Sequence, residues 1–201
     1  PTGTEDWQPF AASRTRAFIK VQDGCRNRCT FCIVTIARGQ ERSRPLADII
    51  TEVNDLHTRH SYQEVVLAGV HLGGYGSDLD CSLADLVDAL LAHTTIPRIR
   101  LGSLEPWDIP PNFWARWPAS GGRLCPHLHL PLQSGCDATL KRMARRCDTE
   151  RFAALTADAR AHIPHLSIST DLIVGFPGET DDEWSQTLSF IRTQAFSHVH
   201  L

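Results

Sequence analysis

Short runs of strand-forming residues recur along the chain at Phe18–Gln22, Glu64–Val70, Arg98–Ser103, His127–Leu132, Leu166–Val174 and His198–Leu201. Between them, apolar positions return at helical spacing. Leu46, Ile49, Ile50, Val53 and Leu56 form one such stripe, and Leu83, Leu86, Val87, Leu90 and Leu91 a second. Phe152, Leu155 and Ala159 mark a third, and Trp184, Leu188 and Ile191 a fourth. The start signals agree. Pro45 suits a first helical turn, and Thr180-x-x-Glu183 and Ser82-x-x-Asp85 have the form of capping boxes. Strands alternating with helices predict a parallel sheet with right-handed crossovers. Periodicity alone allows an open doubly wound sheet or a closed or partial barrel. In each, ligands bind at the loops that leave the C-terminal ends of the strands.

Composition narrows the picture. The 201 residues, 42% hydrophobic, suffice for one core, so residues 16–201 are expected to form a single domain behind a leader or linker over 1–15. A formal net charge of −3 excludes a uniformly basic nucleic-acid coat. No apolar run is long enough for a membrane span, and Pro1–Asp6 has neither an initiating Met nor a secretory pattern. The last residues, His198-Val199-His200-Leu201, end an apolar stretch without a cap, so both ends are expected to be cuts in a longer protein. Seven cysteines, an odd number with three crowded together, fit a reduced, cytoplasmic, metal-binding protein better than a disulfide scaffold.

The crowd is Cys25-x3-Cys29-x2-Cys32, in the loop after the first predicted strand. Structural zinc takes four protein ligands, and the next candidate, His57, lies well down a predicted helix. A fully ligated iron–sulfur cluster also takes four cysteines. Three thiolates therefore point to an incomplete cage with one open iron, which suits catalysis. A zinc site completed from elsewhere is the alternative, and an iron–sulfur electron carrier is the non-enzymatic one.

This spacing resembles the radical S-adenosylmethionine (SAM) superfamily. Further motifs resemble its methylthiotransferases: Ala37-Arg38-Gly39, Arg42-Ser43-Arg44-Pro45, Leu130-Pro131-Leu132-Gln133-Ser134-Gly135, and the run from Thr170 to Thr180. The likeness extends from about Phe18 to the end. It implies a partial six-stranded parallel (β/α)6 barrel, matching the six strands above, with a [4Fe–4S] cluster on Cys25, Cys29 and Cys32 and SAM on the open iron. It implies a transferase that adds a methylthio group, consuming two SAM molecules, with a flavodoxin- or ferredoxin-like electron donor and tRNA as partner. A second [4Fe–4S] cluster and an RNA-binding domain are expected only in a longer protein. The loops Gly69–Gly76 and Ser103–Asp108 look most like the subgroup acting on N6-threonylcarbamoyladenosine at tRNA position 37. Enzymes for isopentenyl-adenosine or a ribosomal-protein aspartate carry Asn- or Asp-containing versions in place of His71-Leu72.

The remaining candidates have two readings each. Phe31 packs on the SAM adenine by the resemblance, or fills the core. Gly69, with Gly73, Gly74 and Gly76, lets backbone approach the SAM amino group, or makes a tight turn. Ser103, Glu105, Gln133 and Ser134, at strand ends, hydrogen-bond a ribose or ammonium group, or cap helices. Asp171, inside an apolar strand, needs a partner, either ligand or protein. Arg38, Arg42 and Arg44, and Lys141, Arg142, Arg145 and Arg146, could meet phosphate or carboxylate, the second group being more in keeping with a solvated face. His71 or a nearby Arg could meet an anionic threonylcarbamoyl group. His127 and His129 share a strand face and are expected to line a barrel or pack, without a catalytic role. Cys81, Cys125, Cys136 and Cys147 are expected to be ordinary small or buried residues, Cys136 being nearest an active-site end.

Overall fold

The alternation of Ala17, Ile19 and Val21 becomes the first strand of a parallel sheet in a computed structural model, which describes residues 15–201. The predicted leader, but for its last residue, lies outside the described residues. Strand β1 (Ala17–Asp23) carries at its end a two-residue antiparallel neighbour, β2 (Arg42–Ser43), which the sequence pattern did not predict. Its parallel neighbour is β3 (Glu64–Gly69), followed by β4 (Arg98–Leu101). A second parallel run contains β5 (His127–His129), β6 (Ser167–Asp171) and β7 (His198–His200). Isolated bridges Ile99–Leu124 and Ser103–His129 join the runs across the β4–β5 seam. Six parallel strands thus follow one another in chain order, as a partial barrel requires.

The helices fall where the periodicity put them: α2 (Leu46–Thr58), α3 (Leu83–His93), α6 (Thr149–His162) and α7 (Asp181–Gln194), with three shorter ones, α1 (Val34–Arg38), α4 (Arg116–Ala119) and α5 (Asp137–Arg142). Both capping boxes form, at Ser82 with Asp85 and at Thr180 with Glu183. Pro45 is the N-cap of α2 and not its first helical residue; its φ of −57° still sets the entry. The predicted fourth and fifth strands overshoot. Pro131 lacks the N–H needed to extend β5, and beyond β6 only the isolated Gln133–Leu172 bridge continues the pairing. Among the described residues, no helix is long and apolar enough to cross a membrane.

The two faces of the sheet differ in kind. One buries Ala17, Ile19, Val21, Val65, Leu67, Ile99 and Leu101 with Ile49, Val53, Leu86, Val87 and Leu90 of the helices. The other carries Lys20, Glu64, Arg98, Arg100, His127, His129, Ser169, Asp171, His198 and His200. Each fully buried aliphatic side chain on the helix-covered face contributes about 1.5–3 kcal/mol. The polar face contributes much less and is free to carry chemistry.

Candidate functional site

The three clustered thiols lie on the loop that leaves the end of β1. Gly24 starts it at φ +78°, where a Cβ would meet Gln40 O at 2.0 Å, so only glycine fits. Backbone bonds Cys25 N to Gly39 O (3.2 Å) and Cys32 N to Cys29 O (3.0 Å) shape the loop. All three cysteines are free thiols, Cys25 and Cys29 partly exposed and Cys32 exposed. Burial, with Glu41 and Glu105 nearby, pushes the Cys25 thiol up. Phe31 is 38% exposed, so it is not core filling; it stands beside Cys32 as an open aromatic face.

A polar hub sits under this loop. The His71 side chain, 2% exposed, lies between Glu41 Oε1 (2.5 Å from Nδ1) and Asp108 Oδ2 (2.5 Å from Nε2). Burial opposes its protonation, but hydrogen bonds to Asp108 and Glu41 outweigh that and hold its pKa above the usual value. The hub grips the cysteine loop. Glu41 meets both the Arg26 amide (3.3 Å) and its guanidinium (3.4 Å). Gln22 Oε1 accepts from His71 N at 2.8 Å.

The hub also explains the glycines. A Cβ on Gly74 would stand 2.6 Å from His71 Nδ1, one on Gly73 2.7 Å from Asp108 Cβ, and one on Gly69 3.0 Å from Gln22 Oε1. Their bare faces are filled by protein, so the close approach they permit is to this network. With both ring nitrogens committed, His71 is not a spare donor for an anionic substrate group.

A second assembly joins the loops after β4 and β5. Arg145, its side chain 3% exposed, lies 2.8 Å from Glu105 Oε2, stacks 4.4 Å over the Trp107 ring and stands 3.8 Å from Cys29 Sγ. It also donates to Pro131 O. The solvated-face reading holds for Lys141, Arg142 and Arg146, which are exposed, and fails for Arg145, whose charge is held by a carboxylate, a carbonyl and a ring. Asn27 Oδ1, Glu105 Oε2 and Trp107 Nε1 are buried without an aligned hydrogen-bond partner. The Arg145 ion pair holds Glu105 Oε2, so Asn27 Oδ1 and Trp107 Nε1 are the buried polar atoms near the cysteine loop left to be satisfied by a ligand.

Ser103 is exposed and caps nothing, while Glu105 is the N-cap of the short turn Pro106–Asp108 without a side-chain cap bond. Gln133, at φ +76°, bridges Leu172 through its backbone. Ser134 is buried against Thr187 Oγ1 (3.1 Å), a packing role. In the first basic group, Arg44 pairs with Glu52 at 2.6 Å, and Arg38 and Arg42 lie within 4 Å of Asp23. Asp171 has a protein partner, His129 Nε2 at 3.1 Å. The distal cysteines join no group of potential ligands among the described residues, and burial pushes Cys147 up to about 11. Cys136, at the N-cap of α5, is buried and donates weakly to Gln186 at 3.5 Å. Glu41 and Asp108 are the residues the sequence left without a role, and Arg145 was read only as one of a basic group. Glu41 stood between two motifs already singled out and Asp108 inside a third segment, but nothing in spacing shows that loops 30 or more residues apart converge on one histidine.

This arrangement, a thiol loop after the first strand of a six-stranded parallel partial barrel, is that of one superfamily. The profile of the Radical SAM superfamily matches residues 19–191, and the chain belongs to that family. It is 41% identical over 189 residues to the threonylcarbamoyladenosine tRNA methylthiotransferase MtaB of Thermotoga maritima, covering 94% of this chain and 43% of that protein. It is 40% identical over 187 residues to the tRNA-2-methylthio-N(6)-dimethylallyladenosine synthase of Staphylococcus saprophyticus, covering 92% of this chain and 36% of that one. Among solved structures it is similar in fold to TsrM, a radical S-adenosylmethionine methyltransferase from Kitasatospora setae (TM-score 0.73, 15% identity, 90% of this chain and 35% of that one). The chain thus spans well under half the length of these relatives. The family implies a [4Fe–4S] cluster and SAM. The residues fit both: three free thiols on one loop for the cluster, and unsatisfied polar atoms beside an exposed aromatic for a nucleoside-bearing amino acid.

Proposed function

We propose that this chain is the radical SAM domain of a tRNA methylthiotransferase, and that its substrate is N6-threonylcarbamoyladenosine at position 37. The observation that carries the first part is identity of about 40% across more than nine-tenths of the chain to relatives of that activity. Cys25, Cys29 and Cys32 hold the cluster, leaving one iron for SAM; when bound, the cluster supplies the electron that cleaves SAM. Phe31 offers its open face to the adenine. Asn27 offers its unsatisfied Oδ1, and Glu105 the carboxylate oxygen that Arg145 does not hold, to an ammonium group, while Arg145 fixes Glu105 and screens the sulfur of Cys29. Ser103, Gln133 and Gly69 stand at the same strand ends. A cytoplasmic location, a flavodoxin- or ferredoxin-like donor and a second cluster held outside this chain complete the reading.

The choice of threonylcarbamoyl substrate is supported by the His71-Leu72 form of the loop after β3, in the sequence resemblance. The near-equal identity to the dimethylallyladenosine synthase does not separate the two substrates, so that one is the second reading. The test is to express the complete gene product in cells lacking each modification and to analyse tRNA nucleosides by mass spectrometry. Restored 2-methylthio-N6-threonylcarbamoyladenosine is the expected result; restoration of only the isopentenyl product, or of modified ribosomal protein, defeats the substrate assignment. This chain alone, with dithionite and SAM, is expected to form 5′-deoxyadenosine without methylthiolated product.

A further inference from the structure

The polar face of the second parallel run carries a constellation outside the residues assigned above to the cluster and SAM. Parallel register sets His129 beside Ser169, Ser169 beside His198, and Asp171 beside His200. Period-two alternation turns all of them to one face. One donor atom each from His129, Asp171 and His200 lies within 4.8 Å of the others. Ser169 Oγ holds His129 Nδ1 at 2.9 Å, leaving Nε2 directed at Asp171 Oδ2, 3.1 Å away. The His129 and His200 rings stand 5.7 Å apart, centre to centre.

We propose that His129, Asp171 and His200 form a binding site for a divalent first-row transition-metal ion such as Zn2+, Co2+ or Ni2+. The donor set is the first reason. Two imidazoles and a carboxylate suit these ions, whereas Ca2+ and Mg2+ prefer oxygen ligands throughout. Spacing is the second. Ligands about 2.0–2.2 Å from a metal stand roughly 3 Å from one another, and His129 Nε2 and Asp171 Oδ2 already do. His200 is exposed on an edge strand, so its side chain closes the remaining gap by rotation.

The third reason lies around the ligands. A metal-bound histidine ordinarily has its other ring nitrogen held by a polar partner that fixes its orientation, the place Ser169 takes for His129. No Lys or Arg among the described residues neutralises Asp171, whose one ion-pair partner is His129. Three protein ligands leave coordination positions open, so a bound ion could take a further oxygen or nitrogen ligand from the barrel interior.

The test uses this chain with Cys25, Cys29 and Cys32 replaced by Ala, so that loop thiols do not compete, and circular dichroism to verify folding. Zn2+ is titrated by calorimetry, and Co2+ by visible absorption, whose ligand-field bands report nitrogen and oxygen donors without thiolate charge transfer. One equivalent is expected, with affinity falling tenfold or more in His200→Gln and in Asp171→Asn, and less in Ser169→Ala. His200 is exposed, so its replacement leaves the core intact. Absence of saturable binding would overturn the site, as would one-equivalent binding unchanged in His200→Gln and Asp171→Asn, or cobalt spectra showing thiolate ligands. None of these outcomes bears on the cluster or on the substrate proposed above.

Discussion

Two histidine–carboxylate clusters lie on one barrel and behave as opposites. His71, in the half built from β1, β3 and β4, is shut in, its two ring nitrogens each 2.5 Å from a carboxylate oxygen. His129, in the half built from β5, β6 and β7, is partly open, with looser contacts to Ser169 and Asp171. Glu64 repeats the first pattern near the start of β3, held by Arg98 at 2.9 Å and Arg100 at 2.7 Å. The first half therefore uses its buried ionic groups as structure, holding His71 and Glu64 within the protein, while the second leaves such groups facing the interior. A saturated cluster fixes a loop, and an unsaturated one can take a ligand.

The largest expected effect tests what the closed half holds in place. Anaerobic reconstitution should give about four irons per chain, lost when Cys25, Cys29 or Cys32 becomes Ala and kept when Cys81 or Cys125 does. Iron analysis decides it, and equal dependence on the distal cysteines would break the three-ligand assignment.

Next comes His71→Ala. It leaves Glu41 and Asp108 buried, facing each other without a cation between them, and should lower stability by about 3–5 kcal/mol in denaturant unfolding. A loss under about 1 kcal/mol would mean the hub is not the clasp described here.

Glu64→Gln should cost less, about 1–3 kcal/mol at neutral pH, because Glu64 sits at the partly solvated end of the barrel. Burial works to raise the Glu64 pKa, but hydrogen bonds and charge from Arg100 and Arg98 prevail and lower it. A depressed carboxylate stabilises the fold above its unfolded pKa, near 4.5, and that contribution is lost as pH falls through the lower folded value. The gap between wild type and variant should therefore be full at pH 7 and narrow only as pH falls below 4.5 towards the lower folded value. Unfolding curves across that range check it.

The smallest effect is reserved for the open half. His129→Ala should change stability by less than about 1 kcal/mol, since its partner Asp171 is partly exposed. A loss as large as that of His71→Ala would erase the contrast between the halves.

Much of this was legible in the residues. Period-two and helical repeats set the six strands and four main helices, because burial against a neighbour leaves the same mark wherever it occurs. The gathering of Cys25, Cys29 and Cys32 on one loop was legible because it is local in sequence. The His71 hub was not, because Glu41, His71 and Asp108 come from three loops and meet only when the sheet brings its strand ends together. Arg145 was hidden for a related reason. In sequence it is one of several cations near a short helix, and only the Trp107 ring and the Glu105 carboxylate distinguish it. The sequence showed the glycines as places of close backbone approach or tight turning; that Asp108, His71 and Gln22 fill the space on their Cβ side was not legible.

The seam between β4 and β5 has a consequence for motion. Within each half the strands share regular ladders, but across the seam pairing consists of isolated bridges, with amides of Ile99, Leu104 and Cys125 meeting carbonyls of Arg123, His129 and Ile99. Regular ladders resist opening together, whereas isolated bonds break one at a time. The seam is therefore expected to show the weakest hydrogen-exchange protection in the sheet, with each half opening as its own unit. Because the cysteine loop rides on one half and the His129–Asp171 pair on the other, a small rotation along the seam changes the width of the space between them without disturbing either.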